Sequence, residues 1–202
     1  MRLVLASSSP RRAELLANLG LEFTVTAIEI DETRRPDESA ALYVERLARE
    51  KATVAASLAI GETEGPERLI VAGDTAVVHD GHVMGKPAHP EEARSMLRRL
   101  QGKAHEVFTG MAVTHEGRME SLVDVTEVRM LAMTDDEITD YVASGEPMDK
   151  AGAYALQGRG GLYVESISGS PFTVIGLPVH LLPRLVARVG GRLDQFLRPS
   201  SL

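Results

Sequence analysis

The chain has 202 residues, a formal net charge of -7 and no cysteine. This length can bury a core without covalent staples, and the missing thiols exclude disulfides and thiolate metal sites. Net acidity without a basic stripe excludes the footprint of a duplex nucleic-acid binder, and no apolar run approaches a membrane span. With no basic, apolar leader in view, the expectation is a cytoplasmic protein that takes neither nucleic acid nor a membrane as partner.

Residues 2–6 read as a buried strand. They feed a helix over 10–19, with Ser9 as N-cap, Pro10 at its first position and Gly20 as its stop. The β-branched run 21–30 predicts a second strand. A long helix is expected over about 38–59, with Leu42, Leu47, Val54 and Leu58 on or near one face. "RLIVAGDTAVVHDGHVMGKP" predicts a buried strand, a break at Gly73-Asp74 and a hairpin turning at Asp80-Gly81.

A helix over 90–100 is followed by a long hairpin turned at Glu116-Gly117, then a helix over 135–144 capped by Thr134 and closed by Gly145. A Gly-rich stretch, a strand near 162–167 and an apolar helix from about Pro178 complete the pattern, with the tail from about 190 expected to fray. Strands and helices alternate without a linker, which predicts a single α/β domain with a mixed sheet flanked by helices.

Several residues carry candidate chemistry. "SSSPRR" joins a strand to a helix N-terminus, a place where backbone N–H groups, the Ser7–Ser9 hydroxyls and the cations Arg11 and Arg12 could cradle phosphate. Taken alone, the turn reads first as a capped helix with two solvated arginines. Asp74 follows an apolar strand, so it is either a turn-forming residue or a buried carboxylate that must meet a cation. Asp31 and Glu32 are an acidic loop, or carboxylates that with Asp74 could hold Mg²⁺.

Lys86 and Lys150 stand in Gly/Pro-punctuated turns, where a solvated lysine is the ordinary explanation. "QGRGG" (157–161) is a weak phosphate-loop signal. P-loop, Rossmann, H-E-x-x-H and G-x-S-x-G patterns are all missing, and His105 reads as a packing residue.

The order of these pieces is more informative than any one of them. "LASSSPRRAELL", "AGDTAVV" with its "GKP", "HEVFTG", and "SGEPMDKAGAYALQGRGG" with "ISGSPFTVIGLPV" together resemble the Maf family of nucleoside triphosphate pyrophosphatases, from residue 3 to about 185. The resemblance implies a mixed α/β fold related to the inosine-triphosphate pyrophosphatases, with a deep cleft. It implies hydrolysis of a nucleoside triphosphate to monophosphate and pyrophosphate, assisted by Mg²⁺ or Mn²⁺. Asp74 is then the proton acceptor, with Lys51 and Lys86 in the catalytic set and Glu32 and Asp74 as metal ligands.

On the same basis Ser7, Arg11, Arg12, Thr75, Lys150 and Gln157 would meet substrate, and Asp149 falls among the cleft residues. The combination of Arg11, Thr75 and Gln157 resembles the branch associated with dTTP and UTP. Alternatives are a 7-methyl-GTP pyrophosphatase and a nucleotide-binding regulator of septum formation, and a second copy of the chain is a candidate partner.

Overall fold

The computed structural model describes residues 1–60 and 67–198. In chain order the main elements are β1 (Arg2–Ala6), α1 (Pro10–Asn18), β2 (Thr24–Thr26), α2 (Ala40–Ile60), β3 (Arg68–His79), β4 (His82–Met84) and α3 (Pro90–Leu100). They continue with β5 (Ala104–His115), β6 (Arg118–Met130), α4 (Asp135–Ala143), β7 (Val164–Ser168), α5 (Pro171–Ile175) and α6 (Leu182–Arg188). Among the described residues no helix is long and apolar enough to cross a membrane.

The strands make one seven-stranded mixed sheet in the order β2-β1-β3-β5-β6-β7, with β4 paired to β3. β1 runs parallel to both β2 and β3, while β3–β4 and β6–β7 are antiparallel. The chain forms two compact units. The first comprises residues 1–74, 109–123 and those from 176 onward; the second comprises Thr75–Phe108 and Asp124–Ile175.

The core of the first unit is small-residue packing between α2 and the strands. Val4 and Ala6 of β1 and Ile70 and Ala72 of β3 meet Ala48, Ala52 and Ala55 of α2. The buried face of α2 therefore runs through Val44, Leu47, Ala48, Ala52 and Ala55, whereas Leu42 and Leu58 are each 59% exposed. Of the expected stripe only Leu47 is fully buried; alanines could face the sheet because the helix lies so close to it. Gly110 of β5 permits that approach, since a Cβ there would sit within 2.8 Å of the Glu45 backbone nitrogen and closer still to Val44.

The second unit has its own core, in which Met96, Leu97 and Leu100 of α3 pack with Val128, Met130, Ile138, Tyr141 and Tyr154. His105 is buried there, and its Nε2 lies 2.8 Å from the Tyr154 hydroxyl. The local packing expected of His105 is what the structure contains.

Both tight hairpins form where expected. Asp80-Gly81 and Glu116-Gly117 each take left-handed conformations at both positions, as a type I′ turn requires. Thr134 and Glu137 form a reciprocal capping box on α4.

Four expectations need correction. β3 is not broken at Gly73-Asp74 but runs unbroken to His79. Gly73 serves close approach rather than a turn: a Cβ there would lie 3.2 Å from the Gly110 carbonyl oxygen. Of the strand expected over 21–30, only Thr24–Thr26 pairs as an element, because β1 offers partners from Val4 to Ala6 alone.

α5 was not anticipated within "SGSPFTVIG". The segment before the end does not fray: Leu193–Phe196 form a 3₁₀ turn, Phe196 is buried, and Leu197 bridges Leu21. The remainder of the tail, 199–202, lies outside the described residues.

Two outcomes follow from this packing. Gly110→Ala forces its methyl into the α2 backbone and should cost about 1–3 kcal/mol in urea unfolding. Burial, with a contribution from the charge of His79, pushes His105 down to about 4. The unfolded chain therefore binds a proton there that the folded chain refuses, so stability falls as pH drops from about 6.5 towards 4. His105→Gln should flatten the Tm profile in that window.

Candidate active site

The face of α2 that packs on the sheet carries one charged residue, Lys51, just 6% exposed. The corresponding face of β3 carries Asp74, two residues beyond Ala72 and 8% exposed. An ammonium and a carboxylate in such surroundings are costly unless each meets the other. Lys51 Nζ donates to Asp74 Oδ1 at 2.7 Å and to Glu32 Oε1 at 2.6 Å. Three residues from a strand, a helix and a loop are thus joined at one nitrogen. Asp74 does this from inside β3 rather than from a strand end, as the corrected boundary requires.

Beside them stands the turn after β1. Ser9 does not cap α1 with its side chain, and the first turn of the helix holds no acidic residue. Ser7 Oγ instead accepts from the Ser9 backbone N–H at 3.2 Å and from Arg12 Nη1 at 3.1 Å. Arg12 Nε donates to the Gly176 carbonyl at 2.6 Å, which fixes the guanidinium in a buried setting.

Burial pushes Arg12 below its ordinary value, the negative charge of Asp74 and Glu32 opposes the shift, and Arg11 adds to it. Arg12 therefore lies within the field of both carboxylates and is not a solvated helix residue. Arg11, half-buried, contributes to the same field.

Glu32 is held from behind. The Tyr43 hydroxyl donates to the Glu32 carbonyl at 2.8 Å. Burial, then the charges of Asp74 and Glu32, push the Tyr43 hydroxyl up to about 12, so it remains a donor at neutral pH.

Arg46 grips Glu38 through Nε at 2.6 Å and Nη2 at 2.9 Å, and also reaches the Thr33 carbonyl. Asp31 accepts from the Thr33 N–H at 2.9 Å, an Asx turn that accounts for it structurally. Tyr43, Arg46 and Glu38 were not singled out in the sequence; their periodic placement on and just before α2 offers no chemical signature.

The second unit holds the remaining expected residues. Thr75 is half-buried in β3 and Lys86 is exposed in the loop after β4. Lys150 is buried, donating to Asp149 Oδ1 and to the Glu146 carbonyl, each at 2.6 Å. Gln157 is exposed at the start of the Gly-rich loop.

The backbone N–H groups of Arg159 and Gly160, in the segment that gave the phosphate-loop signal, both donate to the Glu146 carboxylate at 3.0 Å. That loop binds an internal anion. Among the described residues, Glu67, His115 and Glu116 also bring ligand atoms within 4.8 Å of one another, a grouping that sequence spacing does not reveal.

A mixed α/β fold that joins two carboxylates at one buried ammonium, with a buried arginine in their field, has the charge distribution of the enzymes that handle anionic substrates. More particularly, the family description "Maf-like protein" matches residues 2–189, and the chain belongs to the Maf family. It is 46% identical over 192 residues to a dTTP/UTP pyrophosphatase of Chromobacterium violaceum, covering 95% of this chain and 96% of that protein. It is 48% identical over 190 residues to a protein of the same name from Myxococcus xanthus, covering 93% and 92%. A third, from Dechloromonas aromatica, is 44% identical over 200 residues, covering 95% and 99%.

The pairing at Lys51 sets an ordering of stabilities. Lys51→Met leaves Asp74 buried without its ammonium and should cost about 3–5 kcal/mol. Glu32→Gln neutralises the more exposed of the two carboxylates and should cost less, about 1 kcal/mol. Urea unfolding of the two variants measures the difference.

Proposed function

We propose that the chain hydrolyses dTTP and UTP to the monophosphate and pyrophosphate by attack of water at the α-phosphorus. The observation that carries this reading is the joining of Asp74, Lys51 and Glu32 at one nitrogen, with Arg12 in their field, in a Maf chain whose relatives bear that name. The cytoplasm, where nucleotide pools lie, is the proposed compartment.

In this reading the Asp74 carboxylate takes the proton of the attacking water. Lys51 orients that carboxylate, because its ammonium fixes Oδ1. Arg12, anchored by Ser7 and the Gly176 carbonyl, presents a preorganised positive charge to the phosphates, and Arg11 adds to it. Such positioning and charge stabilisation are the main sources of rate in phosphoryl chemistry. Lys86 and Lys150 are proposed to meet the pyrophosphate that leaves. Gln157, Thr75 and Arg11 are proposed to read a 4-oxo pyrimidine, whose edge needs both a donor and an acceptor.

Two carboxylates meeting at one cation are also a suitable donor set for a hard divalent ion, so Glu32 and Asp74 fit Mg²⁺ or Mn²⁺ as proposed ligands. Such an ion supplies Lewis-acid polarisation of phosphate oxygens when bound.

Hydrolysis of dTTP in ¹⁸O-labelled water tests the bond that breaks. Label is expected in dTMP only, with unlabelled pyrophosphate as the other product. Label in orthophosphate, with dTDP accumulating, contradicts the reading.

A further inference from the structure

Glu146 belongs to neither the catalytic nor the substrate-contacting set, yet it is among the most heavily bonded side chains of the second unit. Its Oε1 accepts from the Tyr141 hydroxyl at 2.7 Å and from the Gly160 N–H at 3.0 Å; its Oε2 accepts from the Arg159 N–H at 3.0 Å. Its backbone carbonyl accepts from Lys150 Nζ at 2.6 Å. The Tyr141 hydroxyl in turn accepts from the Ala155 N–H at 3.1 Å, pinning the other side of the same loop.

Glycine is demanded here by this contact. A Cβ on Gly158 would collide with the Glu146 carboxylate, and one on Gly160 would collide with the Tyr141 hydroxyl and lie 2.8 Å from the Ala155 carbonyl oxygen. Burial raises the Glu146 carboxyl, but the donors Gly160, Tyr141 and Arg159 and the charge of Lys150 more than offset it. The group lies below its ordinary value and is an anion at neutral pH.

We propose that Glu146 is a positioning residue for substrate selection: its carboxylate closes the loop that carries Gln157, and its carbonyl holds Lys150, so that both are presented as one rigid group. The inference rests on the proposed roles of Gln157 and Lys150. It differs from a phosphate-loop reading of "QGRGG", because the Arg159 and Gly160 N–H donors already bind a side chain of the chain itself. A carboxylate can accept all three hydrogen bonds. A carboxamide can accept two through its oxygen, but sets an N–H₂ against the third donor. An alanine accepts none.

The test is kcat/KM for dTTP and CTP on wild type, Glu146→Gln, Glu146→Ala and Gln157→Ala. Hydrogen exchange is followed at the amides of Arg159 and Gly160. Preference for dTTP over CTP should fall at least about tenfold in Glu146→Ala and less in Glu146→Gln, mainly through KM for dTTP, with kcat largely kept. The two amides should exchange faster in the same order.

An unchanged preference in folded Glu146→Ala, while Gln157→Ala loses it, overturns the inference alone. An unchanged preference in Gln157→Ala overturns the role of Gln157, and this inference with it. If Glu146→Ala does not fold, Gly158→Ala, whose methyl meets the carboxylate, must show the same loss of preference; unaltered selection there contradicts the proposal.

Discussion

A lysine ammonium buried between a helix and a sheet has to find anions, and the first unit is arranged around that need. Lys51 occupies a position of α2 that its neighbours Ala48, Ala52 and Ala55 fill with methyl groups. Asp74 occupies the position of β3 that follows Ile70 and Ala72 on the same face. Each charge is costly in that place without an opposite one, and Glu32 completes the set from a loop as a second anion for Lys51. The surrounding features serve this junction. Gly110 lets α2 approach, Tyr43 holds the carbonyl of Glu32, and the Arg46–Glu38 pair ties the loop to the helix. A buried ion pair contributes little to stability against an apolar substitute. A carboxylate held in one orientation is what the proposed proton acceptance by Asp74 needs.

The two arginines after Pro10 have distinct surroundings. Arg12 is folded inward on Ser7 and the Gly176 carbonyl, where it feels Asp74 and Glu32 directly. A helix N-terminus without an acidic first turn, carrying a guanidinium fixed by two acceptors, presents positive charge with little reorganisation. In the second unit the same physical device is used in reverse. The Gly-rich loop offers backbone N–H groups to an anion, and that anion is Glu146. Similar loop chemistry thus yields a rigid scaffold instead of an open phosphate cradle.

Much of this was legible in the sequence where chemistry is local. The I′ turns at Asp80-Gly81 and Glu116-Gly117, the Thr134 cap and the Pro10 helix start follow from backbone preference alone. The family was legible from the order of its motifs, now matched over residues 2–189. What escaped depends on tertiary contact. Gly73 reads as a break, and only the nearness of Gly110 explains why the strand continues. Leu42 and Leu58 read as core, but a helix this close to the sheet buries alanines and leaves the leucines outside. Tyr43, Arg46 and Glu146 act through partners distant in sequence or through backbone atoms, so residue type alone gave no signal for them.

The central claim is that the Asp74–Lys51–Glu32 group performs the reaction. The most direct measurement is kcat for dTTP with Asp74→Asn, which keeps the shape of the side chain and removes its charge. The account predicts a fall of about 10²–10⁴-fold in a protein that still folds, since Lys51 retains Glu32. A folded Asp74→Asn enzyme that turns over at the wild-type rate would contradict it.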